Sequence, residues 1–236
     1  HIGDEGARVL SKLLNDGSSI TSLNLAMNVI SPIGACHLAE ALRENSTLSS
    51  LELRSNDVRD DGAIALASAL PTSALASIGL EDNRVGDDGA CALAGALCGA
   101  EVGSLFSSTS HRSSPQRWLV LCTAHMKERQ IEELRGRPAR EGFHLDLTHN
   151  LFKDQGVCAL AVALAKGADV LLEDNDIGDV GASALAVSFR SPSFSSTTLN
   201  LERCRVGACV HVLVSALAAN SRVTHVNLRS NELFDE

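Results

Sequence analysis

The chain has 236 residues, 44% of them hydrophobic and 3% aromatic, with a formal net charge of −9. That apolar content is ample for a continuous core, and the acidic balance argues against a general role on nucleic acid or anionic membrane surfaces. No run of about 18 apolar residues is present to cross a bilayer, and no signal peptide precedes the first periodic segment.

In chain order, residues 1–19 read as the second half of a repeating unit, with Gly6, Ala7, Leu10 and Leu14 on a helix. Because His1 is not a natural start and both ends cut a unit, the chain is expected to be a fragment. Three regular units follow. Ile20, Leu23, Leu25, Asn28, Ile30 and Gly34 recur 28 residues on as Leu48, Leu51, Leu53, Asn56, Val58 and Gly62. They recur 27 residues further on as Leu75, Ile78, Leu80, Asn83, Val85 and Gly89. Self-similarity at a fixed period decides the architecture. Within Leu75–Leu97 the first half alternates like a strand. The second half puts Ala90, Leu93, Ala94 and Leu97 on one helical stripe. Asp60, Asp87, Asp154 and Asp179 precede Gly-Ala or Gly-Val pairs, where a carboxylate can cap the helix start, and Pro32 suits a first helical turn. Asn45-Ser46-Thr47 fits a glycosylation sequon but is expected simply to end a helix.

A fourth strand is expected at Val102–Leu105, after which the pattern breaks. Residues 1–105 and 146–236 are read as one continuous repeat array, and 106–145 as a non-repeat insertion. The block Phe106–Leu145 holds seven Lys and Arg against four Asp and Glu, leaving the repeats at −12. Its removal restores a seamless unit, so it reads as translated non-coding sequence such as a retained intron. The rival reading is a genuine insertion with an amphipathic helix over Gln116–Arg135 and Leu145-Asp146-Leu147 serving as the strand. The pattern resumes with Leu147, Asn150, Phe152 and Gly156, then early with Val170, Leu172, Asn175, Ile177 and Gly181 after a short loop at Lys166–Asp169. The next unit carries Leu199, Leu201, Cys204 and Val206, with Cys in the Asn position and an irregular helix start that predicts local looseness. Val223, Val226, Leu228, Asn231 and Leu233 repeat the frame a last time.

The motif LxxLxLxxNxI followed by a Gly-Ala helix start resembles the leucine-rich repeat. The long units and the GAxxLAxAL helix resemble its ribonuclease-inhibitor type, over about five-sixths of the chain. The sensor arms of NLR immune proteins, the Ran GTPase-activating proteins and the repeat arms of ROCO GTPases share that type. The resemblance implies an α/β fold, a right-handed horseshoe solenoid with parallel strands on the concave face and helices on the convex face. Each unit buries its apolar face only against its neighbours. The recurring Asn is expected to be buried, satisfying backbone groups in the turn that leaves the strand.

Catalytic signatures are missing from the sequence: no GxxxxGK[ST], HExxH or GxSxG occurs. The stretch EDNDIGD from Glu173 lacks the ligand spacing and distal Glu of a calcium loop. No cofactor and no metal are therefore expected. Seven cysteines include no CxxC pair. Neighbouring helices sit roughly 9–10 Å apart, too far for a disulfide whose Cα atoms lie about 4.4–6.8 Å apart. The thiols read as reduced and structural, in a cytoplasmic protein.

The outward strand positions remain, and they include Glu52, Arg54, Glu81, Asp82, Asp146, Thr148, His149, Glu173, Asp174, Glu202, Arg203 and Arg229. From Glu81 to Glu202 they form an acidic stripe suited to a partner protein with a basic surface. The expected function is a non-catalytic protein-interaction scaffold, with no nucleic-acid or membrane partner. The resemblance also allows a GTPase regulator or the sensor arm of a larger NLR-type or ROCO-type protein, and the interrupted repeat allows a pseudogene product.

Overall fold

The computed structural model describes residues 1–99 and 142–232. Helices and three-residue strands alternate. They run α1 (Asp4–Asn15), β1 (Ser22–Asn24), α2 (Pro32–Glu44), β2 (Ser50–Glu52), α3 (Arg59–Ala69), β3 (Ser77–Gly79) and α4 (Asp87–Leu97). They continue as β4 (His144–Asp146), α5 (Asp154–Ala165), β5 (Asp169–Leu171), α6 (Asp179–Ser188), β6 (Thr198–Asn200), α7 (Val210–Ala218) and β7 (His225–Asn227). Strands pair in parallel in the repeat order, β1 to β5 in one sheet and β6 with β7 in another, and each helix packs on the next. This is the α/β leucine-rich-repeat solenoid that the period predicts.

The register follows from which side chains must be dry. Leu23, Leu51, Ile78, Leu145 and Val170 face one another across β1 to β5. Two residues on, Leu25, Leu53, Leu80, Leu147 and Leu172 are buried at 3% exposure or less. A one-residue slip would turn all of them to solvent. Helix residues such as Leu38, Leu66, Leu93, Leu160 and Leu185 close the other side of the same core.

The place beside β3 is filled by β4, with Ile78 paired to Leu145. Of the two strand positions the sequence offered, it is the later one that pairs, since alternate residues Leu145 and Leu147 are both buried. The repeat frame therefore begins by Phe143, itself buried, inside the block delimited as 106–145. The strand expected at Val102–Leu105 and the helix expected at Gln116–Arg135 lie outside the described residues.

Helix starts are built differently from the local caps that the sequence suggested. The first-turn aspartates do not cap their own helices. Each reaches one unit forward. Asp60 Oδ1 accepts from Gly86 N and Gly89 N at 2.7 and 2.9 Å. Asp87 Oδ1 accepts from Lys153 N and Gly156 N, both at 2.8 Å. Asp154 Oδ1 does the same for Gly178 and Gly181, and Asp179 Oδ1 for Gly207 and Cys209. The glycine is needed because the helices nearly touch there: a Cβ at Gly89 would lie 2.8 Å from Asp60 Oδ1 and 3.0 Å from Ala63 Cβ. Pro32 takes the aspartate's place in α2 and stands at its first turn behind the Ser31 cap. Asn45 closes α2, its buried amide Nδ2 donating to Leu14 O at 2.8 Å.

The sheet is interrupted once. The loop entering β5 has three residues, 166–168, and the loop entering β6 has nine, 189–197. β5 and β6 do not pair as strands, and β6 pairs with β7 instead. The ladder resumes two residues later, where Asp174 N donates to Glu202 O at 2.9 Å. Beyond the seam, α7 is nine residues long and buries only Leu213 and Ala216.

Candidate functional site

The exposed face of the sheet is ordered by the turn that follows each strand. Met27, Ser55, Asp82, His149, Asp174, Arg203 and Ser230 all have φ between 51° and 59°. That left-handed conformation costs a non-glycine residue energy, and the next residue, an inward Asn, holds it in place. Asn83 Nδ2 donates to Leu53 O of the previous unit at 2.8 Å and to Glu81 O of its own at 3.0 Å. Its Oδ1 accepts from Val58 N. Asn83, Asn150 and Asn175 are buried, whereas Asn28, Asn56 and Asn231, toward the ends of the stack, are half-buried. At Cys204 the ladder weakens to sulfur contacts of 3.7 Å with Glu202 O and 4.0 Å with Leu172 O.

Because the turn is rigid, the residues on either side of it stand in columns one unit apart. One column carries Arg54, Glu81, Thr148, Glu173, Glu202 and Arg229, linked by the ladder from Met27 N to Arg54 O through Arg203 N to Arg229 O. The adjacent column carries Asp82, His149, Asp174 and Arg203. All the outward residues expected from the sequence lie on this face, half-buried or exposed.

Their charges are partly answered from the neighbouring unit. Arg54 pairs with Glu81 at 3.2 Å, and Arg229 with Glu202 at 3.5 Å. Asp174 takes both His149 at 2.5 Å and Arg203 at 3.4 Å. Glu52, Asp82, Asp146 and Glu173 have no cation in ion-pair range among the described residues. The Glu52 carboxylate accepts Arg54 N and lies over Gly79, where a Cβ would collide with it. Asp146 Oδ1 accepts Thr148 N at 2.9 Å, and Glu173 accepts the Asn200 amide. Burial pushes the Glu173 carboxyl above the usual range. The negative charges of Glu202, Asp174, Asp146 and Glu81 push it further the same way. Within the stripe Glu81, Asp174 and Glu202 are paired with arginines of neighbouring units, whereas Asp82, Asp146 and Glu173 are not.

The lateral ion pairs escaped sequence reasoning. Their signal is opposite charge one unit apart, as in Arg54 and Glu81 or Arg229 and Glu202. The same rule operates next to the face. Asp57 binds Arg59 and Arg84, and Asp176 binds Lys153 and Arg205. The carboxylates of EDNDIGD are thus engaged by protein cations and an amide.

Four of the described thiols, Cys91, Cys98, Cys204 and Cys209, are unsuited to nucleophilic chemistry. Burial pushes Cys91 up to about 12 and Cys98 and Cys204 to about 11. Burial and the Asp179 carboxylate bring Cys209 to about 11. Cys36, Cys91, Cys98, Cys204 and Cys209 are free thiols. Among the described residues no group of His, Cys, Asp and Glu could hold a metal, no buried side-chain polar atom lacks a partner, and no helix is long and apolar enough to cross a membrane.

None of the curated proteins matches the chain. The Leucine Rich repeat family model matches residues 44–67 and 172–186, one stretch on each side of the block. Such repeats are generally a non-enzymatic interaction fold, and they typically bind proteins. The solenoid, the Asn ladder and these two matches agree on an α/β leucine-rich-repeat fold.

Proposed function

We propose that the sheet face is a non-catalytic docking surface for a protein with a basic patch, centred on the strip from Glu81 and Asp82 through Asp146, Glu173 and Asp174 to Glu202. The observation that carries this reading is the uncompensated pair Asp146 and Glu173. Burial raises the Glu173 carboxyl and four neighbouring carboxylates raise it further, so a cation arriving there relieves existing repulsion. Arg54, Arg203, Arg229 and His149 border the strip and disfavour a partner that is basic throughout. A phosphodiester backbone would meet the uncompensated carboxylates Asp146 and Glu173 at the centre of the strip, so neither nucleic acid nor an anionic bilayer suits it. The long units, each with a full helix behind its strand, support a ribonuclease-inhibitor type of repeat.

The test is paired capture. The chain and its Glu81→Lys, Asp82→Lys, Glu173→Lys, Asp174→Lys variant are immobilised, and proteins retained only by the unaltered chain are purified for titration. Affinity that falls at least tenfold in the variant, and falls with salt, supports the proposal. Affinity equal in both chains removes the acidic strip from the function.

A further inference from the structure

The seam in the sheet adds a second kind of surface to the acidic strip. Along the other described strands, the outward residue that follows the central one is Asn24, Glu52, Gly79, Asp146, Asn200 or Asn227. In β5 it is Leu171, which is 36% exposed. Beside it the sheet opens, because β5 and β6 do not pair. The opening leads into a small apolar crevice. Val170, Leu172, Phe194 and Leu199 form the walls, and Leu171 and Thr198 the rim. Phe189 and Phe194 close the floor in an edge-to-face contact, their ring centroids 5.1 Å apart. Side chains tie the two edges together around the gap: Ser196 Oγ donates to Asp169 Oδ1 at 3.0 Å, and the Asn200 amide to Glu173.

The rim is acidic. Asp146 stands opposite Leu171 in the register, and Glu173 is two residues along on the same face. An apolar opening flanked on its β4–β5 side by two carboxylates that have no cation among the described residues complements an aliphatic side chain carried between arginines or lysines. We infer that the seam between β5 and β6 is the anchor point of the docking surface, taking a leucine-like side chain of a basic partner segment into the crevice while Asp146 and Glu173 hold the flanking cations. The inference rests on the acidic face being the binding face. Its additional content is an apolar specificity that charge alone does not supply: buried anchors dominate interface energetics, whereas rim charges mainly steer.

The experiment titrates the full isotope-labelled chain with three synthetic peptides of equal length, followed by amide and methyl resonances. One has a leucine between two pairs of arginines, the second has serine in its place, and the third has glutamates replacing the arginines. The leucine peptide is expected to bind at least tenfold tighter than the serine peptide, to shift resonances of Leu171, Leu172 and Leu199, and to exceed the glutamate peptide by a larger factor. Leu171→Ser, an exposed substitution, is expected to bring the leucine peptide toward the serine value without moving the melting temperature. Asp146→Asn with Glu173→Gln weakens both basic peptides. Equal binding of the leucine and serine peptides overturns the anchor and leaves the acidic face standing. Failure of both basic peptides to bind overturns the two together. A leucine preference untouched by Leu171→Ser also overturns the anchor, since the preference then arises elsewhere.

Discussion

The inward asparagine is the residue on which each unit turns, because it satisfies backbone groups of two units at once while holding a left-handed neighbour. Asn83 has no exposed surface, and Asn83→Ala strands Val58 N in a dry turn and takes one of two donors from Leu53 O and from Glu81 O. The expected loss is on the order of 3 kcal/mol, read from the denaturant midpoint. Cys204 presents the converse case. Its sulfur contacts are long, and the same turn accepts Asn in six other units, so Cys204→Asn is expected to stabilise the chain by about 1 kcal/mol. A lower midpoint would mean that the seam has reshaped this turn. Three aspartates, Asp4, Asp57 and Asp179, make the chain acid-sensitive. Hydrogen bonds from Cys209 N and Gly207 N hold Asp179 below its ordinary value, and Asp57 is held down by the Arg59 hydrogen bond. At Asp4, burial pushes upward, but the Ser31 and Gly34 hydrogen bonds outweigh it and the net shift is down. A carboxylate with a depressed folded-state pKa stabilises above its unfolded value and loses that contribution as pH falls through the folded one. Stability is therefore expected to decline below about pH 4. Asp179→Asn, which keeps an acceptor, should flatten part of that decline in acid titrations followed by circular dichroism. An acid limb identical in the variant would exclude Asp179 as a contributor.

At the scale of elements, the aspartate that begins one helix serves the next, so capping is a contact between units as well as a helix signal. Asp87→Ala is expected to cost about 1–2 kcal/mol. Faster hydrogen exchange should appear at the Lys153 and Gly156 amides and spare the start of α4. Loss of protection at α4 alone would restore the local reading. Gly156→Ala should act on the same joint, since its Cβ would sit 2.9 Å from Ala90 Cβ and 3.0 Å from Asp87 Oδ1. These contacts explain what was legible in the chain and what was not. The period, the strand and helix of each unit, the buried leucines and the outward columns follow from side-chain alternation and helical spacing, which are local. The direction of the caps and the ion pairs Arg54–Glu81 and Arg203–Asp174 depend on which atoms meet across units 25–30 residues apart. Spacing in the sequence says only that such residues are near. The short loop at Lys166–Asp169 was visible as a deletion. The opening of the sheet between β5 and β6 is a property of stacking and was not visible there.

For the whole molecule, nearest-neighbour stacking makes stability a sum over units and their joints, and it specifies where the central block can be removed. Asp87 corresponds to Asp154 and Gly89 to Gly156, because each carboxylate and glycine pair makes the same contacts. On that helix alignment Gly99 matches Lys166. Leu145 pairs with Val170, so Gly142 matches Gly167. Lys166 and Gly167 are consecutive, and both Gly142 and Gly167 have left-handed φ, 71° and 92°. A direct Gly99–Gly142 bond therefore reproduces the loop that already joins α5 to β5. The chain lacking residues 100–141 is expected to fold into the same stack, with β3–β4 protection unchanged. Shortening the connection should raise stability by about 2 kcal/mol through loop-closure entropy. Such a gain fits the proposal that the block interrupts a unit already complete without it, as translated non-coding sequence would. Messenger RNA from the locus lacking the block would establish the shorter chain as a natural product. A shortened chain that unfolds, or that loses protection at Ile78 and Leu145, would show instead that the block contributes contacts to the joint between β3 and β4, and the sheet face would then have to be described with that segment in place.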